Sequence, residues 1–428
     1  MKRLVFMLMA GLFIFLNQAI GAEKKTTYGS ELEELKKRVE DLEKRMKDTE
    51  VVDELGHRFH PIHSIYGLKI GGGLTITAQG VDYRNNRSAG AISADIALES
   101  PVGKDGRAIA VLDFQRGPGL QNLPALLTSP NGNTTGTNAD IESFSNNTSH
   151  LHITQFYYEH NVASNLVASI GQLDITGYFD ANEFANNERT QFFANLFVNN
   201  PTIEFGGSAD FYSPGIRLTY GPFEAMDITA GVFEGNGDYT DMFDKPFYMA
   251  EINFKLMPAD SEGNYRIYYW GRHGRDYLTN TANPDDTTLL NAGNSGVGLS
   301  IDQVITSGAG VWLRAGVQSE KVAQFDRHIS GGVNINGKAF NRPNDVIGIG
   351  YGATFIGKDY KDYQKRSSAN FEPGIEHYME LYYNMAVSDA AQSAGFHISP
   401  GIQYVTNPGG NANASKLFIY GLRLQTFF

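Results

Sequence analysis

Residues 417–428 read LFIYGLRLQTFF, and they alternate between two kinds of side chain. The first kind is mainly apolar or aromatic and comprises Phe418, Tyr420, Leu422, Leu424, Thr426 and Phe428. Gly421, Arg423 and Gln425 stand between them. Because side chains point to opposite faces of a β-strand with a period of two residues, this pattern predicts a strand with one apolar and one polar face.

Segments with the same period occur throughout the chain from Gly67 onward. In residues 347–355 one face consists of Ile, Tyr, Ala and Phe, and the other is almost entirely glycine. Fifteen candidate strands lie near residues 74–83, 92–99, 107–115, 151–159, 165–172, 215–220, 227–234, 247–256, 264–273, 297–302, 311–318, 347–355, 376–387, 396–405 and 416–428, and Ile329–Ile335 is a candidate sixteenth.

Composition separates two architectures that contain many alternating strands. A soluble sandwich or propeller buries the apolar faces, whereas a transmembrane barrel exposes them to lipid and surrounds water with the polar faces. The chain is 41% hydrophobic with a mean hydropathy of −0.30, which suits a wet interior. The repeat of about 40–50 residues expected of a propeller is not found in the sequence. We therefore predict an all-β fold, a transmembrane antiparallel β-barrel of sixteen strands, which leaves an aqueous channel.

The first residues predict export. Met1–Arg3 is positively charged, the run Leu4–Leu16 is apolar, and small residues follow up to Ala22. This is the arrangement of a secretory signal peptide with cleavage after Gly21 or Ala22, and the apolar run is too short for a membrane anchor. We therefore assign residues 1–22 to a signal peptide.

A heptad pattern follows within residues 30–52. Apolar residues recur at alternating intervals of three and four, at Leu32, Leu35, Val39, Leu42 and Met46. The flanking g and e positions carry opposite charges, which is typical of a parallel coiled coil of identical chains. The alternative is a single solvated helix with its own charge pairs. We predict a coiled coil over residues 30–52, a linker over 53–66 and the barrel domain over 67–428.

Several classes of protein are excluded by composition. A formal charge of −12 is opposite to what a nucleic-acid-binding surface requires. The absence of cysteine excludes thiolate metal sites, cysteine nucleophiles and disulfides. The ten histidines are scattered, and a Gly-x-Ser-x-Gly nucleophile motif is not found. His57, His60 and His63 are expected to be solvated linker residues rather than a metal site. We predict no catalytic residues, no cofactor and no metal.

Three polar stretches are candidate connections between strands. Residues 117–149 are rich in Asn, Thr, Ser and Gly and are predicted to form an extracellular loop, as are residues 279–286. Residues 178–207 are more aromatic, and Phe184 and Glu188 fall at helical spacing within them, which indicates a short helix. Two interpretations of this stretch stay open: a structured insertion that folds into the lumen and narrows it, or an external lid.

The polar faces of the predicted strands and the 178–207 stretch supply candidate pore-lining residues. Arginine and carboxylate groups hydrogen-bond hydroxyls, and an aromatic ring stacks on the apolar face of a sugar. Both charge signs occur, which suits neutral polyols. For residues 180–189 the alternative to a constriction is a set of salt bridges that close the loop. The candidates are Asp113, Asp180, Glu188, Arg189, Arg217, Arg266, Arg272, Asp302, Trp312, Arg314, Glu380 and Arg423.

Two blocks of sequence are specific enough to compare with a known family. The first comprises GQLD at 171–174, YFDANEFANNERTQF at 178–192 and FVNNP at 197–201. The second comprises ELYYN at 380–384, PGIQYV at 400–405, NPGG at 407–410 and GLRL at 421–424. Both blocks resemble the carbohydrate-selective outer-membrane porins of the OprB type. The resemblance spans about residues 60–428 and implies a sixteen-stranded barrel through which sugars diffuse down their gradient. The heptad segment departs from the simplest members and is similar to the coiled-coil region of some porins.

These observations predict a porin of the Gram-negative bacterial outer membrane. Carbohydrates or other small hydrophilic solutes are expected to diffuse passively through it, and it is not expected to be an enzyme. Its expected partners are outer-membrane lipid, further copies of the chain in a homotrimer, and the cell wall by way of a periplasmic coiled coil. Nucleic acid is not an expected partner.

Two alternatives to sugar diffusion remain. The first is an anion or dicarboxylate porin, in which Arg217, Arg266, Arg272 and Arg314 form a cationic ladder. The second is a structural or adhesive outer-membrane protein whose barrel is plugged by residues 117–149 or 178–207.

Overall fold

The computed structural model describes most of the chain beyond residue 66. The described residues are 51–52, 58–59, 67–83, 87–117, 119–120, 123–126, 130–131, 150–205, 212–235, 239, 244–257, 261–277, 290–388 and 395–427. The predicted signal peptide, the predicted loop at 279–286 and nearly all of the predicted coiled coil and linker lie outside these ranges. At the end of the predicted coiled coil, Val51–Val52 pairs as a short antiparallel strand with Arg58–Phe59.

Sixteen antiparallel strands form a closed barrel. Each strand pairs with its neighbours in sequence, and the last pairs with the first, where Tyr420 lies opposite Gly80. The fifteen predicted segments and the candidate sixteenth each fall in a different strand, so the predicted strand number is confirmed. In chain order the strands are β1 (Lys69–Val81), β2 (Arg87–Val102), β3 (Gly106–Arg116), β4 (His150–Ala163), β5 (Leu166–Asp174), β6 (Tyr212–Phe223), β7 (Met226–Phe233), β8 (Phe247–Leu256), β9 (Gly263–Tyr277), β10 (Leu290–Thr306), β11 (Ala309–Gln318), β12 (Phe325–Gly337), β13 (Arg342–Ile356), β14 (Glu376–Ser388), β15 (Gly395–Thr406) and β16 (Leu417–Phe427).

The two faces of the barrel wall have opposite polarity, with the apolar face on the outside. On β16, Phe418 and Tyr420 are 42% and 51% exposed, whereas Arg423 is fully buried. The same arrangement holds on β11, where Leu313 is exposed and Arg314 is buried. A soluble barrel would bury its large apolar side chains, so a continuous apolar exterior of this kind is typical of a barrel that is surrounded by lipid.

The connections between strands differ in length at the two ends of the barrel. At one end they are short, as at 103–105, 164–165, 224–225 and 307–308, and the sheet begins and ends there at Lys69 and Phe427. At the other end most are longer, and the four longest lie at 117–149, 175–211, 234–246 and 357–375. Bacterial outer-membrane barrels have short periplasmic turns and long extracellular loops.

Helices are few among the described residues. They are α1 (Asn195–Val198), α2 (Lys358–Ser367) and the 3₁₀ turns Lys338–Phe340 and Pro408–Gly410. The described helices are all too short, or too polar, to cross a membrane. The helix predicted from the spacing of Phe184 and Glu188 is placed differently, because those residues form turns and bends and α1 begins only at Asn195.

The beginning of the 117–149 stretch differs from the predicted extracellular loop. Leu120 is buried in an apolar cluster inside the barrel, and the carbonyl oxygen of Pro130 accepts hydrogen bonds from the side chains of Gln79 and Gln403 at 2.8 and 2.9 Å. The described part of this stretch therefore lies against the inner wall. The physical reason is that its few leucines lose contact with water when they enter the mouth of the barrel.

Candidate functional site in the barrel lumen

Residues 175–205, called the insertion below, belong to the connection between β5 and β6 and lie inside the barrel. The insertion contacts inward-facing residues of β2, β4, β6 and every strand from β8 to β16. The wall residues that make these contacts are Asp95, Tyr157, Arg217, Glu251, Tyr268, Ser300, Arg314, Asn334, Gly350, Glu380, Gly401 and Arg423. The insertion therefore crosses the lumen and is not an external lid.

Arg314 of β11 holds the first half of the insertion. Its guanidinium is fully buried, forms an ion pair with Asp180 (Nε to Oδ2, 2.9 Å) and donates hydrogen bonds to the carbonyl oxygens of Ala185 and Phe197 at 2.5 and 2.7 Å. Asp180 adopts a left-handed backbone conformation with a φ of 59°, and its Oδ2 also accepts the N–H of Asn200 at 2.6 Å. Burial raises the pKa of Asp180 to about 6, and Arg314 opposes this rise, so the carboxylate is ionised at neutral pH.

Glu380 and Arg423 hold the second half of the insertion. The Glu380 carboxylate accepts the backbone N–H groups of Phe193 and Ala194 at 2.5 and 2.9 Å. Arg423 donates to the carbonyl oxygens of Glu188 and Gln191 at 2.6 and 2.8 Å, and its guanidinium lies 4.2 Å from the centre of the Phe193 ring. The side chains of Glu380 and Arg423 are nearly or fully buried. Their charged groups therefore form hydrogen bonds with the backbone of the insertion rather than with bulk water.

Aromatic packing explains the glycine face of β13. Phe192 lies edge-on to Trp312 and to Tyr382, with ring centres 5.3 and 5.0 Å apart, and Phe197 lies 5.7 Å from Trp312. A Cβ atom at Gly350 would stand 2.8 Å from the Phe192 ring. The absence of side chains on this face of β13 makes room for the aromatic side chains of the insertion.

A leucine at Gly350 is therefore expected to disturb the insertion. The Gly350→Leu side chain would overlap Phe192, and overpacking of this kind costs about 1–3 kcal/mol of unfolding free energy. The measurement is the heat-unfolding midpoint of the folded protein in detergent. Ala250→Leu, at an exposed position on the outer face of β8, is the matched control and should leave the midpoint unchanged. Equal midpoints for the two variants would contradict this packing role.

The insertion reaches the opposite wall at residues 188–189, called the tip below. Arg189 forms an ion pair with Asp95 of β2, and its Nε lies 3.8 Å from Oε1 of Glu188. Asp113 of β3 is paired directly with Asp95 in the sheet register and interacts electrostatically with Arg189. The side chains of Glu188 and Arg189 are 19% and 11% exposed, so they border the space left beside the insertion. The tip thus bridges the insertion and β2, and its role as a constriction stays a prediction.

On the wall below the tip, charged side chains form a chain of alternating sign from β1 to β6. Glu99 accepts from Lys69 and Arg107 at 3.1 and 3.2 Å, and Glu159 forms ion pairs with Arg107 and Arg217, both at 2.6 Å. The side chains of Lys69 and Arg107 are 42% and 33% exposed. This part of the inner wall is accessible to water, in contrast to the wall under the insertion.

All twelve residues selected from the sequence lie on the inner wall or in the insertion. Arg266 pairs with Asp302 at 2.5 Å, and Arg272 donates to the carbonyl oxygen of Gly235. Trp312, Arg314, Glu380 and Arg423 contact the insertion, and Asp180, Glu188 and Arg189 belong to it. Contact of any of the twelve with a passing solute stays a prediction.

Several wall residues that complete the site were not selected from the sequence, among them Asp95, Tyr268 and Ser300 above and three more. Glu251 accepts the N–H of Asp180 at 2.8 Å, and Asn334 and Asn384 donate to carbonyl oxygens of the insertion at 2.8 and 2.7 Å. Each stands at an inward position of its strand. The two-residue period would have placed Glu251 on the inner face, but it carries no information about which inward residues the insertion covers.

Comparison with known proteins identifies the family. The sequence profile of the carbohydrate-selective porin, OprB family, matches residues 123–428. The chain belongs to this family. The barrel of this porin superposes on a structure of OprB from Pseudomonas putida with a TM-score of 0.70 and 15% identity, covering 85% of this chain and 94% of that one.

Two further relatives are more distant. A mutant of the porin of Rhodopseudomonas blastica, also solved as a structure, matches 84% of this porin and 100% of that chain with 10% identity and a TM-score of 0.50. An uncharacterized protein of Aquifex aeolicus is 29% identical over 103 residues, which are 24% of this chain and 28% of that one. The first of these likenesses concerns the fold, and the second covers little of either protein.

Proposed function

We propose that this porin spans the bacterial outer membrane and lets neutral sugars diffuse passively through its lumen. The apolar exterior of the barrel, with Phe418, Tyr420 and Leu422 exposed on β16, supports insertion into lipid. The polar inner wall supports an aqueous passage, and the family to which the chain belongs supports sugars as the solutes.

The observation that carries the proposal is the position of the tip. Glu188 and Arg189 stand between the packed sector of the lumen, at β8–β16, and the charged wall of β2–β6. A solute that passes the tip meets carboxylate and guanidinium groups, including the partly exposed Glu188 and Arg107, that can exchange hydrogen bonds with hydroxyls. Such contacts are individually weak in a wet passage, which allows release.

Export, assembly and anchoring complete the proposal. A signal peptide over residues 1–22 would direct the chain to the periplasm, and a coiled coil over residues 30–52 would stand there. The charge pattern of that heptad segment supports a parallel bundle, and we propose a homotrimer with contact to the cell wall through the bundle.

Each alternative function makes a distinct prediction for transport. The anion-porin alternative needs cationic arginines that face the solute, yet Arg217, Arg266 and Arg314 are each paired with a carboxylate. The structural alternative is favoured by one observation, because both the insertion and the segment around Pro130 lie inside the barrel. That alternative predicts an inserted barrel with negligible conductance.

Liposome swelling tests the proposed function. The purified mature chain is reconstituted, and swelling is recorded in mono-, di- and trisaccharides of increasing size and in charged solutes. We expect entry of neutral sugars at rates that fall with size. Entry restricted to anions would favour the arginine ladder, and protein that is folded and inserted but admits nothing would favour the structural alternative.

Arg189→Ala is expected to widen the passage. The substitution removes the ion pair with Asp95 and shortens the side chain that spans the gap. Disaccharides should then enter severalfold faster relative to monosaccharides, as measured by the same swelling assay. Arg366→Ala, at an exposed position on α2, removes the same charge outside the lumen and should leave this ratio unchanged. An unaltered ratio in Arg189→Ala would show that the tip is not the narrowest point.

A further inference from the structure

Several arginines of the lumen are compensated or covered, whereas the exposed Lys69 and Arg107 belong to a chain of three cations and two carboxylates lower on the wall. Arg217 is paired with Glu159 at 2.6 Å and Arg266 with Asp302 at 2.5 Å. Arg423 is fully buried beneath the backbone carbonyl oxygens of the insertion, to which it donates. The electric fields of two paired opposite charges cancel at distances beyond their own separation. These arginines therefore attract anions only weakly.

Negative charge is in excess where the lumen is narrow. Around the tip, Asp95, Asp113 and Glu188 surround the single guanidinium of Arg189, and all four groups interact electrostatically. Oδ2 of Asp113 accepts a hydrogen bond from Gln115 at 2.5 Å, which is a neutral donor. Three carboxylates therefore share one cation at the same level of the channel.

A buried acceptor atom at this level points to a ligand with donors. Asp113 is only 3% exposed, and its Oδ1 accepts no hydrogen bond from any of the residues that the structure describes. A buried acceptor without a donor is costly, and a passing ammonium or hydroxyl group would satisfy it. Of the three carboxylates at this level, that of Glu188 is the most exposed, at 19% of its side chain.

We propose that the tip makes this porin prefer cationic and neutral solutes to anionic ones, and therefore amino sugars and neutral sugars to sugar acids. The carboxylates lie inside a barrel wall of low dielectric constant, where a small excess of one sign focuses the field along the channel. The proposal rests on the proposed function, because it names the solute class that the same passage selects. Glu188 and Asp113 are its selectivity-determining residues.

The reversal potential of the channel in planar bilayers tests this proposal. Recordings are made across a KCl gradient at pH 8. We expect the wild-type channel to prefer potassium to chloride. Glu188→Gln should lower this preference about tenfold, because one unit charge about 6 Å away in water changes the local concentration of each ion about threefold, in opposite directions for the two ions. Glu224→Gln, in the exposed turn at 224–225, makes the same charge change outside the lumen and should leave the preference unchanged.

Asp113→Asn provides a second variant, and sugars provide a second readout. Asn retains the shape of Asp113 and the fold, and it should shift the preference in the same direction as Glu188→Gln. In liposome swelling, glucosamine should enter the wild-type channel faster than glucuronate, and glucose should be unaffected by either substitution. A conducting channel that prefers chloride, or one in which both substitutions leave the reversal potential unchanged, overturns this proposal alone. An inserted barrel that conducts neither ion overturns the proposed function together with it.

Discussion

Replacing Arg314 with methionine is expected to release the first half of the insertion and to raise single-channel conductance severalfold. The substitution leaves the buried Asp180 carboxylate without its cation and frees the carbonyl oxygens of Ala185 and Phe197. Removing one partner of a buried ion pair costs about 3–5 kcal/mol, because it leaves an uncompensated buried charge. Conductance in planar bilayers and the heat-unfolding midpoint in detergent measure the two consequences.

The double variant Arg314→Met with Asp180→Asn distinguishes the effect of an unpaired buried charge from the effect of losing the arginine side chain. It removes both ions, so the penalty for an unpaired buried charge disappears. We expect it to recover most of the stability that Arg314→Met loses and to conduct closer to the wild type. A conductance of the Arg314→Met channel equal to that of the wild type would mean that the insertion does not depend on this anchor.

Replacing Glu380 with alanine is expected to free the second half of the insertion. The backbone N–H groups of Phe193 and Ala194 donate to this carboxylate, and both would be left buried without an acceptor. Each such group costs about 1–3 kcal/mol, so the expected loss of stability is about 2–6 kcal/mol. The channel should conduct more and with larger current fluctuations, since the segment that carries Phe192 and Phe193 is no longer fixed.

Glu380→Gln is the conservative control for this prediction. Glutamine keeps one acceptor oxygen at the same place, so it should retain at least one of the two hydrogen bonds and most of the stability. If alanine and glutamine at position 380 gave the same conductance and the same unfolding midpoint as the wild type, the carboxylate would not be an anchor.

The barrel could be predicted from sequence because its cause is local. Alternation with a period of two residues is visible in any short window, and it identified the inward positions of Trp312, Arg314 and Arg423 as well as the number of strands. The sense of the alternation, apolar outside, followed from composition and from the aromatic face of the last strand. These inferences needed no knowledge of which strands are neighbours.

The filling of the lumen could not be predicted in the same way because its contacts are distant in sequence. Three whole strands, β3 to β5, separate Asp95 from Arg189 in the chain, and eight, β6 to β13, separate Phe193 from Glu380. The pattern around 178–207 showed an ordered aromatic segment but gave neither its side of the wall nor its partners. The position of the segment around Pro130 inside the barrel was not predicted. Residues 117–149 are mainly polar, and this composition indicated a loop in water although the stretch contains a few leucines.

The hydrogen bonds of Arg423 join β16 to residues 235 and 232 positions earlier in the chain. They can form only once β16 has joined the sheet beside β15, and pairing of β16 with β1 then closes the wall. A barrel that still lacks its final strand therefore lacks these bonds to residues 188 and 191, at and beside the tip. Closure of the wall by β16 therefore also fixes the residues at the tip, in the same step of assembly. We expect an unfinished barrel to have a wider passage than the finished one.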